Sequence, residues 1–185
     1  LDEMKSAGNS LLITPHNYTP RYDQGWKSGI YCVQFMPFKN DERGMKALTW
    51  WGERCLEWCF YRYEDGKLGD QKYLDDWTTR FEGVHVVKHL GAGVAPWNVQ
   101  QYEVTTGPRV NGVPVVFYHF HRLRWFRNGR VNLCDGGYLL SREVIQNIYR
   151  PYSAALRSAE DEVLQIEPTF ELAYDSEPPK WENLV

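Results

Sequence analysis

The chain has 185 residues, 43% hydrophobic and 24% charged, the balance of a globular protein long enough to bury a core. A net charge of −3 supplies no global field toward nucleic acid. No apolar run approaches the ~20 residues of a membrane helix, and Leu1-Asp2-Glu3-Met4-Lys5 does not read as a secretory leader. Eight Trp, twelve Tyr and eight Phe give an aromatic excess that suits flat, amphipathic ligands such as sugars, although most such rings fill cores. Cys32, Cys55, Cys59 and Cys134 include no second close pair for zinc and read as reduced thiols of a cytoplasmic protein.

In chain order, Ser10 to Thr14 reads as a strand closed by Pro15, and His16 to Gly29 as a loop. Ile30 to Met36 is nearly all apolar, as in a strand covered on both faces. Asn40-Asp41-Glu42 opens a helix whose expected stripe is Met45, Leu48, Gly52, Cys55 and Cys59, widened by Trp51, Leu56 and Trp58. Gly66-Lys67-Leu68-Gly69 then leads into Asp70-Gln71, where Tyr73, Leu74 and Trp77 recur at helical spacing. Asp70 is there the expected N-cap, with Gln71 in solvent, unless the pair addresses a ligand.

Val84 to Val87 reads as a strand running into the glycine-rich loop His89–Asn98. Asn111-Gly112 is a two-residue hairpin signal, followed by an expected strand from Val113 to Phe120. His119 and His121, two apart on a strand, are expected to point to opposite faces, so one at most addresses a given site. Arg122, Arg124, Arg127 and Arg130 form a local basic cluster, either a diphosphate clamp or a solvated loop. A last helix starts at Ser141 with a kink expected at Pro151. From Glu160 to the end, acidic residues and Pro168, Pro178 and Pro179 read as a surface extension. There is no P-loop, Rossmann glycine triplet or serine elbow; spacing alone gives an α/β domain whose polar groups cluster at strand ends, where α/β sheets bind ligands.

Four blocks taken together carry a resemblance: Glu53–Cys59, Gly69-Asp70-Gln71-Lys72-Tyr73-Leu74, His89–Asn98 and Phe117-Tyr118-His119-Phe120-His121. They resemble a bacterial glycosyltransferase family with a GT-A-type nucleotide-diphospho-sugar transferase fold, related in pattern to the retaining, glycogenin-like enzymes. The resemblance covers about residues 1–159, as the C-terminal portion of a mixed-sheet domain, with 160–185 as an acidic extension. It implies that the nucleotide-binding half with its Asp-x-Asp motif lies before Leu1. A third expectation, beside the two activities below, is a half-domain only marginally folded alone, its sheet edge exposed.

Carried over by residue, the resemblance makes Asp70 and Gln71 the catalytic pair, Asp70 on sugar hydroxyls and Gln71 near the anomeric carbon. His119 becomes a ligand of a divalent metal (Mn or Mg), the other ligands lying outside this chain. Pro96, Trp97 and Asn98 line the sugar pocket, with His121 and Arg122 beside the substrate. The implied partners are a nucleotide sugar donor and a glycan or lipid-linked acceptor. Two departures stand out. Arg122 occupies the glycine position of the His-Phe-x-Gly signature, and Tyr31-Cys32-Val33-Gln34-Phe35 replaces Tyr-Asn-Val-Gly-Phe, removing an expected sugar contact and the space beside it. The expected activity is hexosyl transfer; the competing expectation is a non-catalytic glycan-binding or scaffold domain of the same fold.

Overall fold

The computed structural model describes residues 1–171 and 174–175 of a mixed α/β chain with small sheets. The chain divides into two compact units, Leu1–Gly93 and Val94 onward. In the first unit, α1 (Asp2–Ser6) precedes β1 (Leu11–Pro15), the short α2 (Gly25–Ser28), β2 (Tyr31–Cys32), α3 (Glu42–Glu57), α4 (Trp77–Arg80) and β3 (Val84–Val86). β1 is central, antiparallel to β2 and parallel to β3, with Thr14 opposite Cys32 and Leu12 opposite His85. Leu11, Ile13, Tyr31, Ala47, Leu74 and Trp77 make its core. Trp77 is fully buried with Phe38, Trp51 and Phe81 edge-on, at centroid distances of 6.2, 5.9 and 5.7 Å, the geometry favoured by ring quadrupoles.

β2 is shorter than the strand expected over Ile30–Met36. α3 begins where its acidic start signal places it, with the Asp41 carboxylate accepting from the Gly44 N–H at 2.9 Å. Its inward face differs from the expected stripe. Gly44 and Ala47 are buried, whereas Met45 is 40% and Leu56 90% exposed. Backbone proximity sets this rotation: a Cβ at Gly44 would lie 2.3 Å from the Lys39 carbonyl oxygen and 3.2 Å from that of Ser10. Only a residue without Cβ lets the helix come this close, so Gly44 and Ala47 face inward, with the expected Trp51 packed against the core beside them.

The second unit holds β5 (Val104–Thr105), β6 (Arg109–Val110) and β7 (Val113–Pro114) in one antiparallel sheet and β9 (Arg124–Trp125) with β10 (Val131–Asn132) in another; β4 (Ala92–Val94) spans the unit boundary and β8 is Phe117–Tyr118. Asn111 and Gly112 both have positive φ, 49° and 77°, as a two-residue hairpin of the expected kind needs. The single strand expected from Val113 to Phe120 is broken, because Pro114 has no N–H to extend a ladder. α5 (Arg142–Val144), capped by the Ser141 hydroxyl, continues through a π-helical turn at Ile145–Tyr149 into α6 (Arg150–Ile166). The break expected at Pro151 takes the form of that π turn, which lies directly before the residue that cannot donate.

α6 runs past Glu160 to Ile166, so the first residues of the expected extension are helical. Glu160 accepts from the Trp125 indole and the Tyr174 hydroxyl, and Arg124 and Arg127 pair with Asp175 and Glu171. The rest of that extension, residues 172–173 and 176–185, lies outside the described residues. No helix among the described residues is long and apolar enough to cross a membrane.

Gly44→Ala tests the close approach of α3. It is expected to cost ~1–3 kcal/mol, since backbone atoms must move to admit the methyl group, and to lower the melting temperature by several degrees. Calorimetry of the two proteins measures this; an unchanged or higher melting temperature would contradict it.

Candidate functional site

In the first unit a short 3-10 segment, Lys72–Asp76, follows Asp70-Gln71 and anchors the loop that leads into β2. Gln71 Oε1 accepts from the Val33 N–H at 3.2 Å, and its Nε2 donates to the Ser28 carbonyl at 2.7 Å. Asp75 accepts from the Ile30 N–H at 2.8 Å and pairs with Lys72 Nζ at 2.7 Å, which also donates to the Gly25 carbonyl at 3.0 Å. The expected roles are therefore corrected. Asp70 does not cap a helix, because the segment is 3-10 and no side chain caps its start. Gln71 is not solvated; it bridges two backbone groups of a neighbouring loop. One lone pair and one N–H of its carboxamide remain for other partners.

Asp70 is half-buried, and its carboxylate makes no hydrogen bond or ion pair among the described residues. Its carbonyl accepts from the Trp51 indole at 2.9 Å, which fixes the backbone. Its charge reaches two thiols. Burial first, and the Asp70 carboxylate second, push Cys32 up to about 12; burial, Cys59 and Asp70 push Cys55 up to about 11. Both thiols are therefore protonated and inert at neutral pH. A cavity of about 630 Å³ also opens in this unit at the carboxyl ends of the parallel pair β1 and β3, lined by Tyr18, Asp23, Tyr31 and Lys88 among others. Nothing in the motif pattern singles out those four residues.

The second unit carries Pro96, Trp97, Asn98, His119, His121 and Arg122. Pro96 is buried, and its carbonyl accepts from Gln100 Nε2 at 2.6 Å. Trp97 is 5% exposed, a plug rather than an open platform. Asn98 is 1% exposed, and its Oδ1 closes the turn by accepting from the Ala95 N–H at 2.9 Å.

The two histidines do not take opposite faces. β8 ends at Tyr118, the His119 N–H bonds the Val94 carbonyl, and the His121 N–H bonds the His119 carbonyl at 2.8 Å, a three-residue turn that ends strand alternation. Both rings meet Trp97, at 5.0 and 5.5 Å between centroids, and lie 6.0 Å from each other. His121 Nδ1 is 2.8 Å from the Tyr138 hydroxyl. Burial lowers the His119 pKa, and burial, His119 and Arg122 lower that of His121 to about 4, so both imidazoles are neutral at neutral pH.

Arg122 has φ 63°, so the backbone here takes the left-handed conformation that glycine adopts freely in the signature. Its exposed guanidinium makes no hydrogen bond or ion pair among the described residues and lies against Gly137, whose added Cβ would be 2.7 Å from Arg122 Nη1. Arg124 and Arg127 are engaged by carboxylates, which leaves Arg122 and Arg130 as the cluster's unpaired members within the described residues. No group of three His, Cys, Asp or Glu side chains suited to a metal forms among those residues. The described residues thus bring imidazoles together but not the oxygen-rich set that Mn or Mg requires.

Comparison with known proteins finds two uncharacterized proteins of Bacillus subtilis (strain 168). YfnD is 30% identical over 167 residues, 87% of this chain and 54% of YfnD. YfnF is 39% identical over 100 residues, 52% of this chain and 33% of YfnF. The chain spans about half the length of YfnD and a third of YfnF. No family model and no solved structure matches.

The depressed pKa of His121 sets a pH dependence. The unfolded chain takes up the proton near the ordinary histidine value of about 6.5, the folded chain only near 4. Between those values the unfolded state binds more protons, so stability falls as pH drops through that window. Titration of the His121 ring by NMR is expected to show a midpoint near 4, and His121→Gln to reduce the acid loss of stability. A midpoint at or above 6 would contradict it.

Proposed function

We propose that the chain is part of a glycosyltransferase of GT-A type that moves a hexosyl unit from a nucleotide-diphosphate sugar to a glycan or lipid-linked acceptor. The observation that carries this reading is the Asp70 carboxylate. It is half-buried and free of hydrogen-bond partners among the described residues, while the adjacent Gln71 is held by two backbone groups. A carboxylate in that state accepts hydrogen bonds from sugar hydroxyls without first breaking a bond of its own. In the reaction the bond from the anomeric carbon to the diphosphate oxygen breaks, one to the acceptor oxygen forms, and the acceptor hydroxyl's proton passes to the departing diphosphate oxygen. Asp70 orients the hexose, while the Trp51 indole holds the Asp70 backbone and Gln71 holds the β2 loop. On the second unit, taken by itself, Arg122 is exposed and unpaired among the described residues and is suited to phosphate oxygens. His119 of the same unit would be this chain's ligand to a divalent cation, which would supply charge neutralisation to a diphosphate. Its remaining ligands are assigned outside this chain. Retention of configuration belongs to the same reading.

A second reading, a non-catalytic glycan-binding domain, has its own support. Trp26, Phe60, Tyr61 and Tyr63 are exposed on the first unit, with Trp26 and Tyr63 edge-on at 5.5 Å, a surface suited to the apolar faces of sugar rings.

Nucleotide release from UDP- and GDP-hexoses in the presence of Mn²⁺, measured on the full-length protein and on Asp70→Asn and His119→Ala variants, separates the two. Transferase function predicts turnover that falls by ~10²-fold or more in each variant. Turnover that survives both substitutions would overturn the roles given to these residues. Glycan binding without any nucleotide release would favour the second reading.

A further inference from the structure

Tyr152, Leu156 and Val163 recur along one side of α6, and that side does not close fully against the rest of the second unit. Between it and the stretch from Leu123 to Trp125 lies a cavity of about 340 Å³, half open to solvent. Phe170 and Tyr174, beyond the helix, line the same space, and the Asp175 N–H bonds the Trp125 carbonyl at 2.8 Å. One residue of this otherwise apolar and aromatic wall is charged. Glu160 Oε1 accepts from the Trp125 indole at 3.2 Å and from the Tyr174 hydroxyl at 2.5 Å, while its Oε2 makes no hydrogen bond or ion pair among the described residues. The arginines nearby are engaged elsewhere. Arg157 donates to the Gly129 carbonyl at 3.2 Å and faces the Trp125 ring at 5.7 Å, and Arg124 and Arg127 pair with Asp175 and Glu171.

The walls set the body of a guest. Covering apolar side chains removes them from water and restores the contacts that an empty space forfeits, so the body is apolar. The volume lies at the small end of the ~300–1,000 Å³ typical of small-molecule sites, which suits one aromatic ring system or a short alkyl chain. Glu160 sets the head group. A carboxylate oxygen only accepts, so the guest brings an N–H or O–H donor, and a cationic donor forms the stronger, charge-assisted bond. The Trp125 and Tyr174 rings favour the same choice, because a ring face attracts an ammonium within ~6 Å of its centroid. Fatty-acid carboxylates and phosphates meet like charge at Glu160, and a sugar leaves the apolar walls uncovered.

We propose that this cavity binds a primary amine with an apolar body, an alkyl or arylalkyl ammonium, its nitrogen on Glu160 Oε2 and its body among Leu123, Leu156, Val163 and Phe170. Trp125 and Tyr174 then have a second part. By donating to Oε1 they fix the carboxylate before the amine arrives, so less side-chain freedom is lost on binding. The site stands apart from hexosyl transfer, since none of the side chains given to that reaction lines the cavity.

Octylamine, tryptamine, octanol and octanoate, titrated calorimetrically against the full chain below the concentrations at which they form micelles, test this. Both amines are expected to bind at least ~10-fold more tightly than octanol, and octanoate more weakly than either class. Glu160→Gln keeps an acceptor for the Trp125 and Tyr174 donors and removes the charge. It is expected to weaken octylamine by at least ~10-fold while leaving octanol within about ~3-fold of wild type. In NMR spectra of the wild type, the Trp125 indole N–H signal is expected to move as octylamine is added. Octanol or octanoate bound as tightly as octylamine overturns the assignment, as does an amine affinity unchanged in Glu160→Gln. Octylamine binding that leaves the Trp125 indole signal in place overturns the location, and a wild-type chain that binds neither amine overturns the site. Should Glu160→Gln fail to fold, the ranking of the four probes and the indole signal decide the matter on the wild type alone.

Discussion

Much of the first unit depends on one small set of hydrogen bonds, those by which the segment Gln71–Asp75 holds the backbone from Gly25 to Val33. Gln71 bridges Ser28 and Val33, Asp75 takes the Ile30 N–H, and Lys72 joins Asp75 to the Gly25 carbonyl. β2 is only two residues long and has little ladder of its own, so its register against β1 leans on these side chains. Gly29 shows how tight the arrangement is: at φ 93°, a Cβ there would lie 2.8 Å from Asp75 Oδ1. Cys32 of β2, which this clamp holds, stands opposite Thr14 of β1.

The second unit solves a related problem with aromatic packing. A proline at 114 and a tight turn at Phe120 interrupt what composition presents as one strand, and the interruption brings both histidines onto Trp97. Phe120, the residue between them, stacks on Tyr152 of α6 at 3.8 Å and lies edge-on to Tyr149 at 5.2 Å. The turn is thus pinned by the helix whose π turn accommodates Pro151. Burial of the two rings keeps them neutral, the state in which an imidazole can ligate or accept a hydrogen bond.

Much of the local structure is legible in the sequence wherever a backbone rule acts alone. Asp41 as a cap, Asn111-Gly112 as a hairpin turn and Leu11–Pro15 as a strand follow from short-range chemistry. The inward face of α3 does not, because it is set by backbone crowding at Gly44, where a Cβ would lie 2.3 Å from the Lys39 carbonyl and 3.2 Å from that of the distant Ser10, rather than by where apolar side chains recur. The same holds for the candidate site. Asp70, Gln71, His119 and His121 stand out by motif and strand position. That Gln71 is engaged and Asp70 is not, or that the histidines share a side, depends on loops that no periodicity encodes. Thr14 escapes a sequence reading, since only its missing partner among the described residues marks it, and Gln34 stands out in the sequence only as a departure from the resembled pattern.

A division of labour between neighbours is central: Gln71 holds the β2 loop, and Asp70, without a hydrogen-bond partner among the described residues, is proposed to take a ligand. Amide hydrogen exchange at Val33, followed in the wild type and in Gln71→Leu and Asp70→Asn, tests that division most directly. The account predicts that Gln71→Leu strips protection from the Val33 N–H while Asp70→Asn leaves it unchanged. Protection that survives in Gln71→Leu, or is lost in Asp70→Asn, would contradict it.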